Sequence, residues 1–123
     1  MVISEGEKAF AAHAVEMLQG VGPVYSKRMF GGFGVFLDGM MFGLIADNEL
    51  YLKVDADNRA EFDALGLQAF TYNKQGKAMQ MSYCQAPEDA MESFELMTQW
   101  GNLGFSAALR DAAKKQRRKK KSG

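Results

Sequence analysis

The stretch that decides the fold is residues 28–55, RMFGGFGVFLDGMMFGLIADNELYLKVD. Asp38 and Gly39 separate two apolar runs, and Asp-Gly favours a two-residue type I′ turn because both central residues need a positive φ. A second turn is predicted at Asp47 and Asn48, just before the alternating run 49–54. Two such turns predict a three-stranded antiparallel meander at the centre of the chain.

The register of this meander predicts two faces, both apolar. With two-residue loops, Val35 lies opposite Phe42 and Gly43 lies opposite Leu52. Strand side chains alternate between faces. One face is therefore expected to carry Phe36, Met41, Ile45, Leu50, Leu52 and Val54, and the other Phe33, Val35, Leu37, Met40, Phe42, Leu44, Tyr51 and Lys53. Because a wet face would alternate apolar with polar residues, both faces are expected to be covered.

The second face supplies a candidate interaction site, made of Phe33, Val35, Phe42, Leu44 and Tyr51. One interpretation is that the helices of the chain bury this face as internal core. If the helices cover only one side of the sheet, the simplest closure is a two-fold homodimer. A third interpretation is a ligand groove lined by the aromatic side chains. The sequence leaves all three open.

Length and composition indicate an ordinary globular domain. The chain has 123 residues, of which 47% are hydrophobic and 24% are charged. No apolar run approaches the ~18 residues of a transmembrane helix, and the N-terminus is acidic where a secretory signal would be basic. A single cysteine cannot form an internal disulfide. These features predict a cytoplasmic protein without a membrane partner.

Helices are predicted on both sides of the meander. Ser4 and Glu7 have the spacing of a capping box, so a helix is expected to begin there. A short helix is predicted around Phe62 and a longer one from Ser93 to about residue 115. Residues 67–72 and 78–83 predict a further hairpin. The predicted fold class is α+β, an antiparallel β-sheet built around the central meander and packed with N- and C-terminal helices.

The formal net charge of zero conceals a strong asymmetry along the chain. Seven of the fifteen basic residues fall near the C-terminus: Lys114, Lys115, Arg117, Arg118, Lys119, Lys120 and Lys121. The remainder has eight basic against fifteen acidic residues, a net charge of −7. Phosphate binding needs concentrated positive charge, so only this segment is a candidate nucleic-acid site. The predicted organisation is a domain at 1–113 and a disordered basic tail at 114–123.

The sequence offers no arrangement typical of catalysis. His13 has no cysteine or histidine at ligand spacing, and Cys84 has no neighbouring histidine or aspartate that would activate a thiol. The cluster Gly31, Gly32 and Gly34 lacks the Gly-Lys-Ser/Thr of a phosphate-binding loop. We therefore expect no enzyme activity, no metal and no cofactor.

Three stretches together resemble the N-terminal domain of the TfoX/Sxy family, bacterial regulators of competence and DNA transformation. They are RMFGGFG at 28–34, GMMF at 39–42 with LYLK at 50–53, and MSY at 81–83 with APEDA at 86–90. The resemblance spans about residues 4–113, and Cys84 stands where the family usually has an aromatic residue. It implies an α+β fold and a coactivator role beside a DNA-bound activator such as the cyclic-AMP receptor protein. It supplies no catalytic residues.

The resemblance and the residues together predict a non-enzymatic interaction module. Its expected partner is a protein, a DNA-bound transcription activator, in the regulation of competence-type genes. The alternative is a domain that binds a small molecule, or nucleic acid weakly and without sequence preference through the basic tail. An exposed apolar patch would favour the first class, and a concave aromatic pocket with convergent polar groups would favour a ligand.

Overall fold

The computed structural model describes residues 3–29 and 31–122. Within that part of the chain, short 3-10 turns at Leu18–Gly20 and Glu88–Glu92 accompany three α-helices and six strands. The elements are α1 (Glu5–Met17), β1 (Tyr25–Met29), β2 (Gly32–Leu37), β3 (Met40–Ala46), β4 (Glu49–Lys53), α2 (Arg59–Ala64), β5 (Ala69–Lys74), β6 (Lys77–Gln85) and α3 (Phe94–Ser122). The predicted α+β class is confirmed.

The six strands form one antiparallel sheet in the order β1-β2-β3-β4-β6-β5. Both predicted turns of the meander are present. Asp38 and Gly39 have φ values of 52° and 77°, and Asp47 and Asn48 have values of 51° and 60°. These four residues are in the left-handed region, as type I′ hairpins require.

The register of the first hairpin departs from the prediction at one residue. Phe36 pairs with Met41 as expected, but Val35 pairs with Gly43 and not with Phe42. Phe42 is therefore the extra residue of a β-bulge, which strict alternation of side chains cannot anticipate. The predicted second hairpin is confirmed, since Gly43 lies opposite Leu52.

The bulge decides which side chains lie beneath the helices. Phe42 is fully buried and meets Phe105 of α3 edge-on, with ring centroids 5.5 Å apart. Gly104 lets α3 approach this part of the sheet, because a Cβ at that position would lie 3.2 Å from Cβ of Leu52. The core between sheet and helices contains Leu18, Val35, Leu37, Phe42, Leu50, Leu52, Val54, Phe62 and Met97.

The N-terminal helix begins at the predicted cap. The Glu7 backbone N–H donates to Ser4 Oγ at 3.1 Å, and the Ser4 backbone N–H donates to the Glu7 carboxylate at 3.1 Å. This reciprocal pair is the capping box expected from the spacing. Among the described residues, no helix combines the length and apolar character needed to cross a bilayer.

The C-terminal helix is longer than predicted. Residues 114–122 were expected to be disordered, but α3 continues through Ser122. Extending an existing helix avoids the cost of nucleation. Lysine, arginine and glutamine are good helix formers, and cations near a helix C-terminus interact favourably with its dipole. We call residues 113–122 the basic extension; Gly123 lies outside the described residues, and the domain boundary at residue 113 remains a prediction.

Candidate interaction site

The two residues considered for chemistry occupy structural positions. His13 Nε2 lies 2.9 Å from the Met91 carbonyl oxygen, which can only accept, so this nitrogen donates. The Cys84 thiol is buried and donates to the Leu67 carbonyl at 3.2 Å. Burial raises the pKa of Cys84, which disfavours the reactive thiolate. In the described part of the chain, no group of histidine, cysteine and acidic side chains could hold a metal ion.

The face of the sheet opposite the helix-covered core carries aromatic and aliphatic side chains. Cross-strand partners lie on the same face, and pairing links Tyr25 to Phe36, Phe36 to Met41, and Leu44 to Tyr51. Phe70 of β5 meets the Tyr51 ring edge-on with centroids 4.9 Å apart. We call this surface the open face: Tyr25, Phe36, Met41, Leu44, Tyr51 and Phe70.

The open face is partly exposed and mostly apolar. Phe36, Met41, Tyr51 and Phe70 are each intermediate in exposure, although Leu44 at its centre is buried. Met41 lies at one end, where it also borders residues 108–115 of α3. Clustering of such side chains at a partly exposed surface is typical of a site that contacts another macromolecule.

A shallow groove on the open face is too small for a ligand. Its lining includes Phe33, Met41, Leu44, Phe70 and Met81, and its volume is ≈ 50 Å³. Small-molecule sites usually measure about 300–1,000 Å³. A larger cleft of ≈ 470 Å³ lies elsewhere, beside α1, with the exposed carboxylates of Glu49, Glu88 and Glu92 among its lining. The groove on the open face is therefore too small to enclose a small molecule.

An ion-pair cluster fixes α3 to the loop after β4. The Arg110 guanidinium donates from Nε and Nη2 to the two Asp55 carboxylate oxygens, at 2.6 and 2.9 Å. Arg110 holds the pKa of Asp55 below its usual value. The buried Asn58 side chain donates to the Lys53 carbonyl at 3.1 Å and to the Leu103 carbonyl at 3.0 Å. The loop therefore contacts α3 at two positions, Leu103 and Arg110.

A second group of charged side chains lies between this ion-pair cluster and the basic extension. Asp111 lies 3.1 Å from Nζ of Lys115 and 3.8 Å from Nζ of Lys53. The same Lys53 ammonium lies 5.2 Å from the centroid of the Tyr83 ring. Burial and the Asp111 carboxylate raise the pKa of Tyr83 to about 12, so its hydroxyl stays protonated at physiological pH. Lys53 of β4 thus contacts α3 through Asp111.

Comparison with known protein families identifies the family to which this chain belongs. A model of the TfoX N-terminal domain matches residues 16–108, about three quarters of the chain. The chain belongs to the TfoX N-terminal domain family. The DNA transformation protein TfoX1 of Aliivibrio fischeri is 34% identical over 65 residues, which are 52% of this chain and 31% of that relative. The matched segment thus spans less than a third of the relative. The resemblance to the TfoX family predicted from the sequence is confirmed.

The structure divides the five interaction residues predicted for this TfoX domain between two faces. Val35 and Phe42 are fully buried beneath the helices, and Phe33 packs against the same core. Leu44 and Tyr51 lie on the open face. The expectation of one shared face is wrong because the bulge at Phe42 reverses the alternation, whereas a binding role for Leu44 and Tyr51 remains a prediction.

Sequence reasoning also missed residues of the TfoX domain that the structure brings together. Phe36 and Met41 were assigned to the opposite side of the sheet from Tyr51. The periodicity of the sequence does not distinguish a regular hairpin from one with a bulge at Phe42. Arg110 and Asp55 are 55 positions apart, so their pairing has no local signature. The predicted nucleic-acid residues all lie in the basic extension, where Lys114, Lys115, Arg117 and Arg118 are exposed. The side chains of Lys119, Lys120 and Lys121 fall outside the described part of the structure.

Removing the Arg110 guanidinium should produce a pH-dependent loss of stability. The pKa of Asp55 is lowered in the folded state. Its ion pair therefore stabilises the fold fully above the ordinary aspartate pKa of about 3.9, and this stabilisation is lost as the pH falls through the lower pKa of the folded state. Arg110→Ala is expected to lower the free energy of unfolding by about 1 kcal/mol at pH 7, since the pair is partly exposed. Below pH 4 the difference from wild type should shrink.

Urea unfolding at pH 7 and pH 3 measures this effect. Lys8→Ala is the matched control, because the Lys8–Glu5 pair is long, at 3.5 Å, and highly exposed, and its loss should change stability by less than about 0.5 kcal/mol. An Arg110→Ala difference of equal size at the two pH values would contradict the role assigned to Asp55.

Proposed function

We propose that this TfoX N-terminal domain acts without catalysis in the regulation of competence genes, by binding a DNA-bound transcription activator through the open face. The observation that carries the proposal is the cluster of Phe36, Met41, Tyr51 and Phe70 at a partly exposed sheet surface opposite the helices. Family membership and a relative named as a DNA transformation protein support the biological setting.

The composition of the open face favours a protein partner. Aromatic and methionine side chains are enriched in the buried centres of protein interfaces. Tyr25 and Phe36 stack with centroids 5.7 Å apart, and the Lys27 ammonium lies 5.1 Å from the Phe36 centroid. This end of the open face therefore combines rigid apolar area with one positive charge, which would complement an acidic rim on the activator.

Substituting one residue of the open face tests the proposal. Met41→Glu is expected to abolish activation of a competence-gene reporter in cells that depend on this chain, because it places a carboxylate in an apolar interface. Leu65→Glu is the matched control, since Leu65 is a highly exposed apolar residue directly after α2, away from the open face. It should retain full activation. Immunoblotting would verify equal protein levels.

Binding to the activator is measured directly with the purified full chain. A photo-crosslinking residue at Tyr51 should capture the activator on its DNA site, and Met41→Glu should prevent the capture. Full reporter activation by a folded Met41→Glu variant would overturn the proposal. So would a wild-type dimer that Met41→Glu converts to a monomer with unchanged activation, because the open face would then be a contact between two copies.

A further inference from the structure

The basic extension of α3 is the feature that the protein-binding role leaves unexplained. The match to the family model ends at residue 108, whereas α3 continues to Ser122. Residues 113–118 are all exposed, so this part of the helix is not buried in the core. From residue 112 to 122 the sequence contains no acidic residue. The result is a helical, cationic segment projecting from a body whose net charge is −7.

The charge density of this segment matches that of duplex DNA. Seven basic residues fall within positions 114–121, and eight helical residues span about 12 Å at 1.5 Å per residue. The segment therefore carries one positive charge per ~1.7 Å. B-DNA carries one negative charge per ~1.7 Å of its axis, so the extension can neutralise phosphates along its whole length.

The distribution of charge around the helix favours a groove over a flat surface. Successive helical residues are rotated by about 100°, so the seven basic positions, 114, 115 and 117–121, are distributed around the whole axis of the helix. A helix is about 10–12 Å in diameter, and the major groove of B-DNA is about 12 Å wide with phosphates on both sides. A helix charged on every side contacts both phosphate rows when it lies in that groove.

Other partners fit this segment less well. Residues 114–121 contain no apolar side chain, so the helix lacks the apolar face that membrane-surface binding requires. The same composition excludes the apolar seam of a coiled coil. An acidic surface on a second copy of the chain is electrostatically allowed, and self-association is therefore one outcome of the test.

The contacts at the base of the extension hold it in a defined direction. Asp55 binds Arg110 through two hydrogen bonds, and Asn58 binds the Leu103 carbonyl. These contacts lie three or more residues before residue 113, so the helix leaves the body with its axis fixed. The acidic body is thereby kept behind the positive segment when the helix tip approaches phosphates.

We propose that the basic extension binds duplex DNA through its phosphates, without sequence preference and with the helix in the major groove. The test measures fluorescence anisotropy of a labelled 20-base-pair duplex of mixed sequence, titrated with the full chain between 50 and 200 mM salt. Seven phosphate contacts predict a log–log salt slope near −6, from about 0.9 per contact, which is about a 4,000-fold loss of affinity over this range.

Two charge-matched variants locate the binding site. The extension variant carries Arg117→Gln, Lys119→Gln, Lys120→Gln and Lys121→Gln, and its slope should fall to about −3, with about a 60-fold loss over the same range. The body control carries Lys8→Gln, Arg28→Gln, Arg59→Gln and Lys77→Gln at exposed positions. It changes the net charge equally and should retain the wild-type slope. Glutamine preserves helix propensity, and circular dichroism would verify folding.

A single-stranded oligonucleotide of the same length distinguishes a groove from general polyanion binding. It should bind at least about tenfold more weakly than the duplex, since it has no groove and fewer counterions are released per contact. Equal binding of the single strand would overturn the assignment to duplex DNA. An unchanged slope in the extension variant, or no duplex binding by the wild type at 50 mM salt, would overturn the proposal. Salt-sensitive self-association in place of DNA binding would assign the extension to a second copy.

Discussion

Phe42→Glu is expected to prevent folding. Phe42 is fully buried, and its ring meets Phe105 of α3. Removing a buried phenylalanine side chain costs about 3–5 kcal/mol, and a carboxylate without a partner in the same place adds a desolvation penalty of several kcal/mol. The sum approaches or exceeds the 5–15 kcal/mol that typically stabilises a domain. Circular dichroism and size-exclusion chromatography would show an unfolded or aggregated chain.

Met41→Glu is the matched control for this prediction. Met41 precedes Phe42 directly but lies on the open face, where its side chain is only partly buried. Lys53, Asp111 and Lys115 border the same recess, so a carboxylate at position 41 would lie among charged groups and not in the closed core. The variant should remain folded, with a free energy of unfolding within about 1 kcal/mol of wild type. A folded Phe42→Glu, or an unfolded Met41→Glu, would contradict the bulge and the assignment of faces.

Gly32→Ala should be the most damaging substitution of a glycine in the sheet. Gly32 begins β2, and a Cβ built there would overlap the carbonyl oxygen of Ile45 and lie 3.5 Å from Cα of Ala46. Both are backbone atoms of β3, so relief requires the two strands to separate. Overpacking commonly costs 1–3 kcal/mol, and a clash with backbone should reach about 3 kcal/mol or more. Urea unfolding would measure the loss.

Substitution of a glycine in a helix is expected to leave stability unchanged or to raise it, in contrast to Gly32→Ala. Gly6 lies in the first turn of α1, where a Cβ would have no contact closer than 3.9 Å, to Ser4 Oγ. Gly6→Ala should leave stability unchanged or raise it by up to about 1 kcal/mol, because alanine loses less backbone entropy in a helix. Equal effects of the two substitutions would mean that the backbone contact at Gly32 does not constrain the sheet.

The residues of the open face could be predicted only in part. Leu44 and Tyr51 were identified because the second hairpin has a regular register, set by the turn at Asp47 and Asn48. Phe36 and Met41 were assigned to the wrong side relative to Tyr51 because one inserted residue reverses every position beyond it. Phe70 belongs to a hairpin whose position beside β4 depends on contacts distant in sequence.

The sequence by itself determined the features that depend on a few neighbouring residues. These are the two type I′ turns, the capping box of Ser4 and Glu7, and the motifs that indicate the TfoX family. The turns and the cap follow from a local conformational preference, such as a positive φ or an unsatisfied backbone N–H, which chain neighbours alone can satisfy. The TfoX motifs were identified by their resemblance to the family. Local physics was therefore sufficient to predict the fold class.

Only the tertiary structure decided which apolar face is core and how far α3 extends. The bulge at Phe42 is stable because α3 closes over it, with Gly104 permitting the approach and Phe105 contacting the ring. The helix that begins in this packed region continues through the basic residues, since propagation needs no new nucleus, and Asp55 holds its base at Arg110. The run of like charges at 114–121 predicted disorder, since like charges repel each other. The sequence does not reveal that this segment continues a helix that has already formed.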